Sequence, residues 1–333
     1  MQTVVFSAIG QAMQCLQRPE LEPGEGQAIV QLQAAGLNRR DYWITQGKYP
    51  SIRTPVVLGS DGAGTVTQVG PNVSSSWLGR QVVLYPGIDW GQNPAVQGPS
   101  FRVLGMPDDG TFATSVAVPD ESLFDKPAHL SWQEAAALPL AGVTAYRALV
   151  VQGNVQPGQQ VLITGIGGGV ATFALQFAVA AGAEVWVTSS STRKIQHAVS
   201  LGAQGGFNYR QTGWHKELLE SCGPMDLVVD SAGGTGYGDL IQVAAPGARL
   251  VSYGSTAGRP PELDLFKVFW KQLKLIGSTM GSPDDFAAML DAVHRHQIHP
   301  VVDQVFSLDD AATAVAHMAD CPQFGKLVLN CRI

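Results

Sequence analysis

The stretch TGIGGGVATFALQFA, residues 164–178, decides how the second half of the chain folds. The run QVLI before it is apolar and β-branched, which is typical of a strand buried on both faces of a sheet. After the glycines, Phe173 and Phe177 recur at helical spacing and predict a helix packed on that sheet. A glycine turn from a strand into a helix exposes backbone N–H groups at the positive end of the helix dipole. We therefore predict an anion site formed by Gly165, Gly167, Gly168, Gly169 and Val170.

A second strand, AEVWVTS at residues 183–189, completes the strand, turn, helix, strand unit of a dinucleotide-binding fold. Sites selective for NAD place Asp or Glu at the end of this strand, where the carboxylate accepts from the ribose hydroxyls. This chain instead reads TSSSTRK, residues 188–194, with hydroxyl groups followed by two positive charges. Hydroxyls and cations favour a 2′-phosphate, so the predicted cofactor is NADPH, bound by Ser189, Ser190, Arg193 and Lys194. The alternative is that these residues form an exposed polar turn that caps the next helix.

Composition limits the classes of function that the chain can have. Its 333 residues exceed the size of one usual core and predict two domains. A net charge of −6 provides no basic face, so a nucleic-acid partner is not expected. The start, MQTVVFSAIG, lacks the features of an export signal, and no uninterrupted apolar run predicts a membrane span. Four cysteines without C-x-x-C spacing fit a cytoplasmic protein with packing or surface thiols: Cys15, Cys222, Cys321 and Cys331.

Two kinds of pattern divide the chain. Short β-rich runs broken by glycine and proline fill residues 3–118 and predict a barrel-like β domain. Within it, residues 86–110 form a long loop rich in glycine and proline, which is either functional or a small lobe of its own. From Ser131, which forms a capping box with Glu134, helices and strands alternate and give the six strands of a doubly wound parallel sheet. The last segment, residues 284–333, has an amphipathic helix and two strand-like runs that can return to the β domain.

Motifs along the whole chain resemble the medium-chain dehydrogenase/reductase superfamily, and within it the zinc-independent branch of quinone oxidoreductases and enone reductases. In the family's order these motifs are EPGEGQAIVQLQAAGLNRRDYW, PVVLGSDGAGTVTQVG, AAALPLAGVTAYRAL, TGIGGGVA, DLVVDSAGG and FGKLVL. The resemblance implies an α/β protein with a GroES-like β-barrel domain, residues 1–126 and 280–333, and a Rossmann NADPH-binding domain with a doubly wound parallel sheet, residues 127–279. It also implies a homodimer and an active site in the cleft between the two domains.

The resemblance also bears on metal binding. Zinc alcohol dehydrogenases of the family ligate catalytic zinc with Cys in a G-x-C segment and His in G-H-E. Here Asn38 in GLNRRD and Ser60 in LGSDG stand at those positions, and neither is a usual zinc ligand. The loop at residues 86–110 also lacks the four cysteines of the family's structural zinc site. We therefore expect no metal, and we interpret the histidines of HRHQIH, residues 294–299, as a solvated helix end.

Without a metal, only hydrogen bonds and positive charge polarise a carbonyl, which suits hydride transfer to an electron-poor acceptor. The predicted acceptor is a quinone or an α,β-unsaturated carbonyl. The resemblance places Asn38 at the floor of the cleft, and we predict that it orients the acceptor oxygen together with Tyr42 or Tyr49. Capping a local turn or packing at the barrel rim is the alternative role of these side chains. Arg40, a further catalytic candidate, stands where zinc enzymes carry a proton-relay hydroxyl, and a salt bridge with Asp41 is its alternative.

Further cofactor residues follow from the resemblance alone. Arg39 matches a position that reaches the cofactor pyrophosphate, and Tyr209 in FNYRQ matches one that flanks the 2′-phosphate with Lys194. The nicotinamide half is lined at the positions of Thr144, Ser231, Gly254 and Ser255, although packing explains Thr144 and Ser231 equally well. The leading hypothesis is therefore an NADPH-dependent quinone or enone oxidoreductase. An NADPH-binding protein with little turnover, in a structural or sensing role, is the main alternative, and an alcohol dehydrogenase is a weaker one.

Overall fold

A computed structural model gives the fold of residues 1–320 and 322–332, so the predicted thiol of Cys321 lies outside the described residues. The strands are β1 Gln2–Phe6, β2 Gln14–Gln17, β3 Gln27–Gly36, β4 Val56–Val57, β5 Asp61–Val69, β6 Gln81–Leu84, β7 Gly87–Ile88, β8 Arg102–Val103, β9 Ser115–Pro119, β10 Leu123–Asp125, β11 Gln160–Ile163, β12 Glu184–Ser189, β13 Gly205–Asn208, β14 Met225–Asp230, β15 Ala244–Ser252, β16 Lys274–Gly277, β17 Val302–Ser307 and β18 Lys326–Asn330. The helices are α1 Arg39–Thr45, α2 Trp132–Ala137, α3 Pro139–Tyr146, α4 Gly169–Ala180, α5 Thr192–Ser200, α6 Trp214–Cys222, α7 Tyr237–Val243, α8 Leu265–Trp270, α9 Pro283–Arg295 and α10 Ala311–His317.

The chain divides into a first unit, Met1–Ala141 with Gly281–Ile333, and a second unit, Gly142–Met280. The sequence-based boundary after residue 126 differs from this division, because α2 packs against β3 and β5 of the first unit. The predicted capping box begins α2: Ser131 N donates to Glu134 Oε2 at 2.8 Å, and Glu134 N donates to Ser131 Oγ at 3.3 Å. Residues 127–141 therefore belong to the first unit.

The first unit contains the predicted β-barrel. Its main sheet runs in the order β10-β6-β5-β3-β18-β17, and β9 also pairs with β3. Large apolar side chains, among them Phe6, Leu32 and Phe112, fill the space that these strands enclose. Helix α9 buries Phe286 and Met289, and β18 pairs with β3, so the end of the chain returns to the β domain as predicted.

Strand β3 lies between β5 and β18, and its last residue positions the functional site. Gly36 pairs with Asp61 on one side and with Val328 on the other. A methyl group at Gly36 would lie only 2.3 Å from the carbonyl oxygen of Ala136, so the close packing at this point requires glycine. The starts of α1, β5 and β18, which are far apart in the sequence, therefore meet at the end of β3.

The sequence left open whether residues 86–110 are a functional loop or a lobe of their own. They form a small lobe that is not separate, because Ile88, Leu104 and Met106 pack into the barrel core. Strands β7 and β8 pair within it, and Trp90 packs edge-on against Phe101 with ring centroids 5.1 Å apart. Arg102 pairs with Asp89 and with Asp108. An aromatic contact and ion pairs thus hold this segment together.

The second unit contains a six-stranded sheet in the order β13-β12-β11-β14-β15-β16, with every neighbouring pair parallel. This is the strand order of a doubly wound dinucleotide-binding fold, so the predicted six strands and fold class are confirmed. Helix α4 buries Phe173 and Phe177 against the sheet. Among the described residues, no helix has the length and apolar character needed to span a membrane.

Candidate active site

The predicted cofactor residues of the second unit lie at one edge of its sheet. Gly165 follows β11, Ser189 ends β12, Tyr209 follows β13, Ser231 follows β14 and Gly254 follows β15. Because the strands are parallel, all five positions are at the carboxyl edge. Ligands of doubly wound sheets bind at this edge, next to the point where the strand order reverses.

The glycine turn between β11 and α4 has the geometry of an anion site. Gly165 and Gly167 have φ angles of 64° and 112°, in the left-handed region that side chains disfavour. Gly168 is the N-cap of α4 and offers no side-chain oxygen to the helix start. Among the described residues, the first-turn amides, including those of Gly169 and Val170, therefore have no intrahelical acceptor and no capping side chain. With the positive end of the helix dipole behind them, these N–H groups can bind a phosphate.

Lys194 lies against this turn. A methyl group at Gly167 would be 2.7 Å from Lys194 Cδ and 3.1 Å from its Nζ, so the lysine reaches the turn because Gly167 has no side chain. Ser189 is buried, and its Oγ accepts from Ser191 N at 3.2 Å. Ser191 caps α5 by accepting from Lys194 N at 3.4 Å. The helix-cap interpretation is therefore confirmed for Ser191.

The other residues predicted to bind the 2′-phosphate lie near the end of β12. Ser190 is half-buried, and its carbonyl oxygen accepts from Asn208 Nδ2 at 3.5 Å. The side chains of Arg193 and Tyr209 are exposed, and Tyr209 N donates to Ser189 O at 3.2 Å. These side chains are accessible to a ligand at the carboxyl edge of the sheet.

Of the residues predicted for the nicotinamide half, Ser231 lies next to the glycine turn and Gly254 lies next to Ser231. A methyl group at Gly165 would be 3.8 Å from Ser231 Oγ, and one at Gly254 would be 3.0 Å from Ser231 O. Ser255 is exposed, and its Oγ donates to Gly258 O at 2.7 Å. Thr144, on α3, is buried. Gly165, Ser231 and Gly254 thus form one contiguous surface.

In the first unit, Asn38 lies in a buried polar cluster with Asp61 and Lys326. Lys326 Nζ donates to Asn38 Oδ1 at 2.6 Å and to Asp61 Oδ2 at 2.9 Å, and Asn38 Nδ2 donates to Asp61 Oδ2 at 2.9 Å. Asp61 Oδ1 accepts from Leu140 N at 2.8 Å. Asn38 is 5% exposed, Lys326 4% and Asp61 0%. Both charges of this ion pair have hydrogen-bonded partners, as a buried pair requires.

Arg40 joins α1 to the lobe at residues 86–110. Its Nη1 donates to Ser60 Oγ at 2.6 Å and to Leu104 O at 2.8 Å, and Nη2 donates to Met106 O at 3.4 Å. The guanidinium carbon lies 5.3 Å from the ring centroid of Tyr49, which is half-buried. Arg40 therefore provides a buried positive charge next to Ser60. A direct catalytic contact of Arg40 or Tyr49 stays a prediction.

Arg39 and Tyr42 occupy the other side of α1. The Arg39 guanidinium donates to Met318 O and to Ala319 O, at the C-terminal end of α10. It also stacks over the rings of Tyr42 and Trp43, 4.7 and 4.8 Å from their centroids. Tyr42 is half-buried against the barrel core. The described contacts of Arg39 are thus with a helix end, and its contact with a pyrophosphate stays a prediction.

Asp41 carries a buried carboxyl group at the start of α1. Its Oδ2 accepts from Asn38 N at 2.7 Å, while its Oδ1 has no hydrogen-bond partner among the described residues. Burial raises the pKa of Asp41 to about 6, although the charges of Arg40 and Lys326 and the hydrogen bond from the backbone N–H of Asn38 each lower this pKa. The native protein therefore binds a proton at Asp41 more tightly than the unfolded chain does.

This difference predicts a pH dependence of stability. Between the ordinary pKa of 3.8 and the native value of about 6, the folded state holds more protons, so stability falls as pH rises through this window. The free energy of unfolding should fall by about 2 to 3 kcal/mol relative to Asp41→Asn, which does not titrate. Urea unfolding of both proteins from pH 4 to 7 measures this. Asp285→Asn, which removes the capping-box carboxylate of α9, controls for loss of a cap. A difference that is constant across this range would contradict the prediction.

The residues at the family's zinc positions do not fit a zinc ion. The Asn38 oxygen is occupied by the Lys326 ammonium and the Ser60 oxygen by the Arg40 guanidinium, so two cations stand where a metal would need ligands. Across residues 1–320 and 322–332, no group of three or more His, Cys, Asp or Glu side chains is arranged to hold a metal ion. His294 lies in the last turn of α9 and is exposed, in agreement with the interpretation of HRHQIH as a solvated helix end.

Three charged residues of the site were not predicted: Asp61, Lys326 and Asp230. Thr164 Oγ1 donates to Asp230 Oδ1 at 2.5 Å, and Gly233 N donates to Oδ2 at 2.9 Å, so Asp230 ties the glycine turn to the loop after β14. Each of the three stands at one end of its strand, and Asp61 and Lys326 are the single charges of theirs, whereas β14 also contains Asp226. That pattern could have marked them as buried and paired.

Comparison with known proteins agrees with this arrangement. The alcohol dehydrogenase GroES-like domain family matches residues 24–128, and the zinc-binding dehydrogenase family matches residues 169–295. The zinc-type alcohol dehydrogenase-like protein YogA of Leptosphaeria maculans is 37% identical over 92% of this chain and 91% of its own length. The chain belongs to the medium-chain dehydrogenase/reductase superfamily. It is therefore an oxidoreductase of a superfamily that uses nicotinamide cofactors.

Other relatives within this superfamily carry different activities in their names. A crotonyl-CoA reductase of Streptomyces avermitilis is 30% identical over 89% of this chain and 76% of its own length. The crystal structure of an NAD-dependent alcohol dehydrogenase, 36% identical, matches with a TM-score of 0.93 and covers 99% of both chains. The predicted superfamily and fold are confirmed, but membership does not determine the substrate of this medium-chain dehydrogenase/reductase.

Proposed function

We propose that the protein is a zinc-independent, NADPH-dependent reductase that transfers a hydride to a quinone or an α,β-unsaturated carbonyl compound. The observation that carries this proposal is that a cationic side chain binds each of Asn38 and Ser60. Lys326 and Arg40 donate to the two oxygens that a metal would have to bind. A site without a Lewis-acid metal favours an acceptor that conjugation has already made electron-poor. The name of the crotonyl-CoA reductase relative supports such an acceptor, because a crotonyl thioester is α,β-unsaturated.

The carboxyl edge of the second unit supports the choice of NADPH. When bound, NADPH supplies the hydride. The amides of the glycine turn would hold its pyrophosphate. Lys194, which lies over Gly167, would hold the 2′-phosphate with Ser189, Ser190, Arg193 and Tyr209. No carboxylate stands among residues 189–194 to favour NADH.

On the acceptor side, Asn38 would donate a hydrogen bond to the oxygen on which negative charge develops. One Nδ2 hydrogen is used by Asp61, and the other has no partner among the described residues. The buried charges of Arg40 and Lys326 would add positive potential to the same region. Tyr42 and Tyr49 would orient the acceptor, and Thr144, Ser231, Gly254 and Ser255 would line the nicotinamide.

The names of two similar proteins favour alcohol oxidation as a second candidate function. A panel of acceptors separates the possibilities. NADPH oxidation with an enone or a quinone should be at least about 100-fold faster than with the matching saturated ketone, because the site lacks a metal to activate an isolated carbonyl. Faster oxidation of alcohols with NAD⁺ would favour the alcohol dehydrogenase. Retention of NADPH without oxidation above the buffer rate would favour a binding protein.

The proposal predicts that purified protein contains no stoichiometric zinc. Dialysis against a chelator should leave both its activity and its unfolding temperature unchanged. The reason is that the side-chain oxygens of Asn38 and Ser60 accept hydrogen bonds from cationic side chains and are not available to a metal. Elemental analysis before and after dialysis measures this. One zinc per chain that is lost together with activity would contradict zinc independence.

We also propose a homodimer that forms through the second unit. Strand β16 ends the sheet, and the adjacent α8 exposes an aromatic face, with Phe266 and Phe269 each 62% exposed and Trp270 72% exposed. Exposed faces of this kind mark interaction sites, and edge strands offer unpaired backbone groups. Analytical ultracentrifugation should give twice the chain mass of 35.2 kDa. Phe266→Glu with Trp270→Glu should give a monomer, whereas Ile9→Glu, at an exposed residue of the first unit, should not. A wild-type monomer would contradict the proposal.

A further inference from the structure

Lys326 belongs to the motif FGKLVL, for which the sequence suggested no function. Its ammonium is almost completely buried, and both of its described acceptors belong to the polar cluster. The preceding Gly325 has a φ of 106°, and a methyl group there would lie 2.3 Å from Val301 O. The chain therefore enters β18 in a way that only glycine permits, and this conformation brings Lys326 to the cluster.

The contacts of Lys326 determine which way the Asn38 amide faces. An ammonium group donates hydrogen bonds and cannot accept them, so the oxygen of the amide must face Lys326. Asp61 is a carboxylate that accepts, so the NH₂ group must face Asp61. The two contacts, at 2.6 and 2.9 Å, agree on one orientation of the amide. A flipped amide would bring its NH₂ group against the ammonium and its oxygen against the carboxylate.

The cluster also has a fixed frame. Asp61 Oδ2 accepts from both Lys326 and Asn38, while its Oδ1 is bound by Leu140 N. Asp61 begins β5 and is paired with Gly36, two residues before Asn38. Strand pairing therefore fixes the backbone of Asp61, and Leu140 N holds one oxygen of its carboxylate. Lys326 is the member of the cluster that has no other described role.

We propose that Lys326 is a positioning residue that makes Asn38 present an N–H group, rather than a carbonyl oxygen, to the acceptor. This inference rests on the proposed function of Asn38 as a hydrogen-bond donor to the acceptor oxygen. Without the ammonium, only Asp61 orients the amide. Without both charges the amide can turn either way, and one of its two orientations would repel a developing oxyanion. Lys326 acts through Asn38 and does not itself contact the substrate.

The test uses a double variant that keeps the protein folded. Lys326→Met alone leaves a buried, unpaired carboxylate, so it is compared with Lys326→Met/Asp61→Asn, which removes both charges and nearly preserves volume. We expect the double variant to regain most of the unfolding temperature that the single variant loses. Its rate of single-turnover hydride transfer should remain at least tenfold below wild type, with NADPH affinity unchanged within about twofold. Lys126→Met, which removes an ammonium bound to Leu130 O at 2.6 Å, is the control and should transfer hydride at the wild-type rate.

A second readout does not depend on turnover. In protein labelled with ¹⁵N at asparagine, the Asn38 side-chain amide, assigned by its loss in Asn38→Asp, should show two well-separated protons, because only one donates to a carboxylate. In Lys326→Met, which keeps the Asp61 carboxylate, this separation should shrink or the signal should split. Recovery of the transfer rate together with stability, or an unchanged amide signal, would overturn the proposal. If the wild type reduces no acceptor, the proposed function fails, and the amide signal still decides whether Lys326 fixes Asn38.

Discussion

Asn38→Ala should lower the rate of hydride transfer by about ten- to a thousandfold and leave NADPH affinity almost unchanged. The amide interacts more strongly with an oxygen that becomes negative during transfer than with the ground-state acceptor, so its loss raises the barrier. Single-turnover oxidation of NADPH measures the rate. The variant should also lose roughly 1 kcal/mol of stability, because Lys326 loses an acceptor.

The loss of stability makes a control necessary. Asn330→Ala removes an asparagine whose Oδ1 accepts from Arg332 N at 3.3 Å, at the end of β18 and outside the polar cluster. This control should transfer hydride at the wild-type rate. If folded Asn38→Ala transfers hydride as fast as wild type, Asn38 has only a structural role, and Tyr42, Tyr49 or Arg40 becomes the candidate.

Lys194→Glu should weaken NADPH binding by at least about 100-fold while changing NADH binding by less than about threefold. The substitution removes a charge-assisted contact with the 2′-phosphate, which contributes about 1.5 to 3 kcal/mol, and adds repulsion at the same place. NADH has no 2′-phosphate and should not respond to either effect. The wild type should bind NADPH at least about tenfold more tightly than NADH.

Titration of protein fluorescence with NADPH and with NADH measures the affinities of the wild type and of Lys194→Glu for both cofactors. Lys216→Glu, on the exposed face of α6, makes the same change in net charge away from the carboxyl edge and should leave both affinities unchanged. Equal affinities of the wild type for the two cofactors would show that the hydroxyl and basic residues after β12 only cap α5.

The cofactor half of the site could be predicted because its signals are local in the sequence. The turn from β11 to α4 contains Gly165 and Gly167 within a few residues of the strand that precedes them. The strand order then brings the ends of β11, β12, β14 and β15 to one edge without further information. Two side-chain roles were not determined by the sequence. Ser191 caps α5, and the side-chain conformation of Lys194 brings it back to Gly167.

The acceptor half could be predicted only in part, because its contacts join distant segments. Asn38, Asp61 and Lys326 meet through the pairing of Gly36 with both β5 and β18. No periodicity in the sequence specifies that register. The partners of Arg40 have the same origin, since Leu104 and Met106 come from the lobe at residues 86–110. The sequence therefore indicated that Asn38 and Ser60 are not usual zinc ligands, but not that Lys326 and Arg40 donate hydrogen bonds to them.

The most direct test of a metal-free, NADPH-dependent reduction follows the label of a deuterated cofactor. Protein dialysed against a chelator is mixed with NADPH that carries deuterium at both positions of C4 of the nicotinamide and with an α,β-unsaturated ketone, and the product is analysed by mass spectrometry. The proposed function predicts a saturated ketone that carries one deuterium at the β-carbon, formed at the same rate before and after dialysis. A product without deuterium, or transfer that stops on dialysis and returns with zinc, would contradict it.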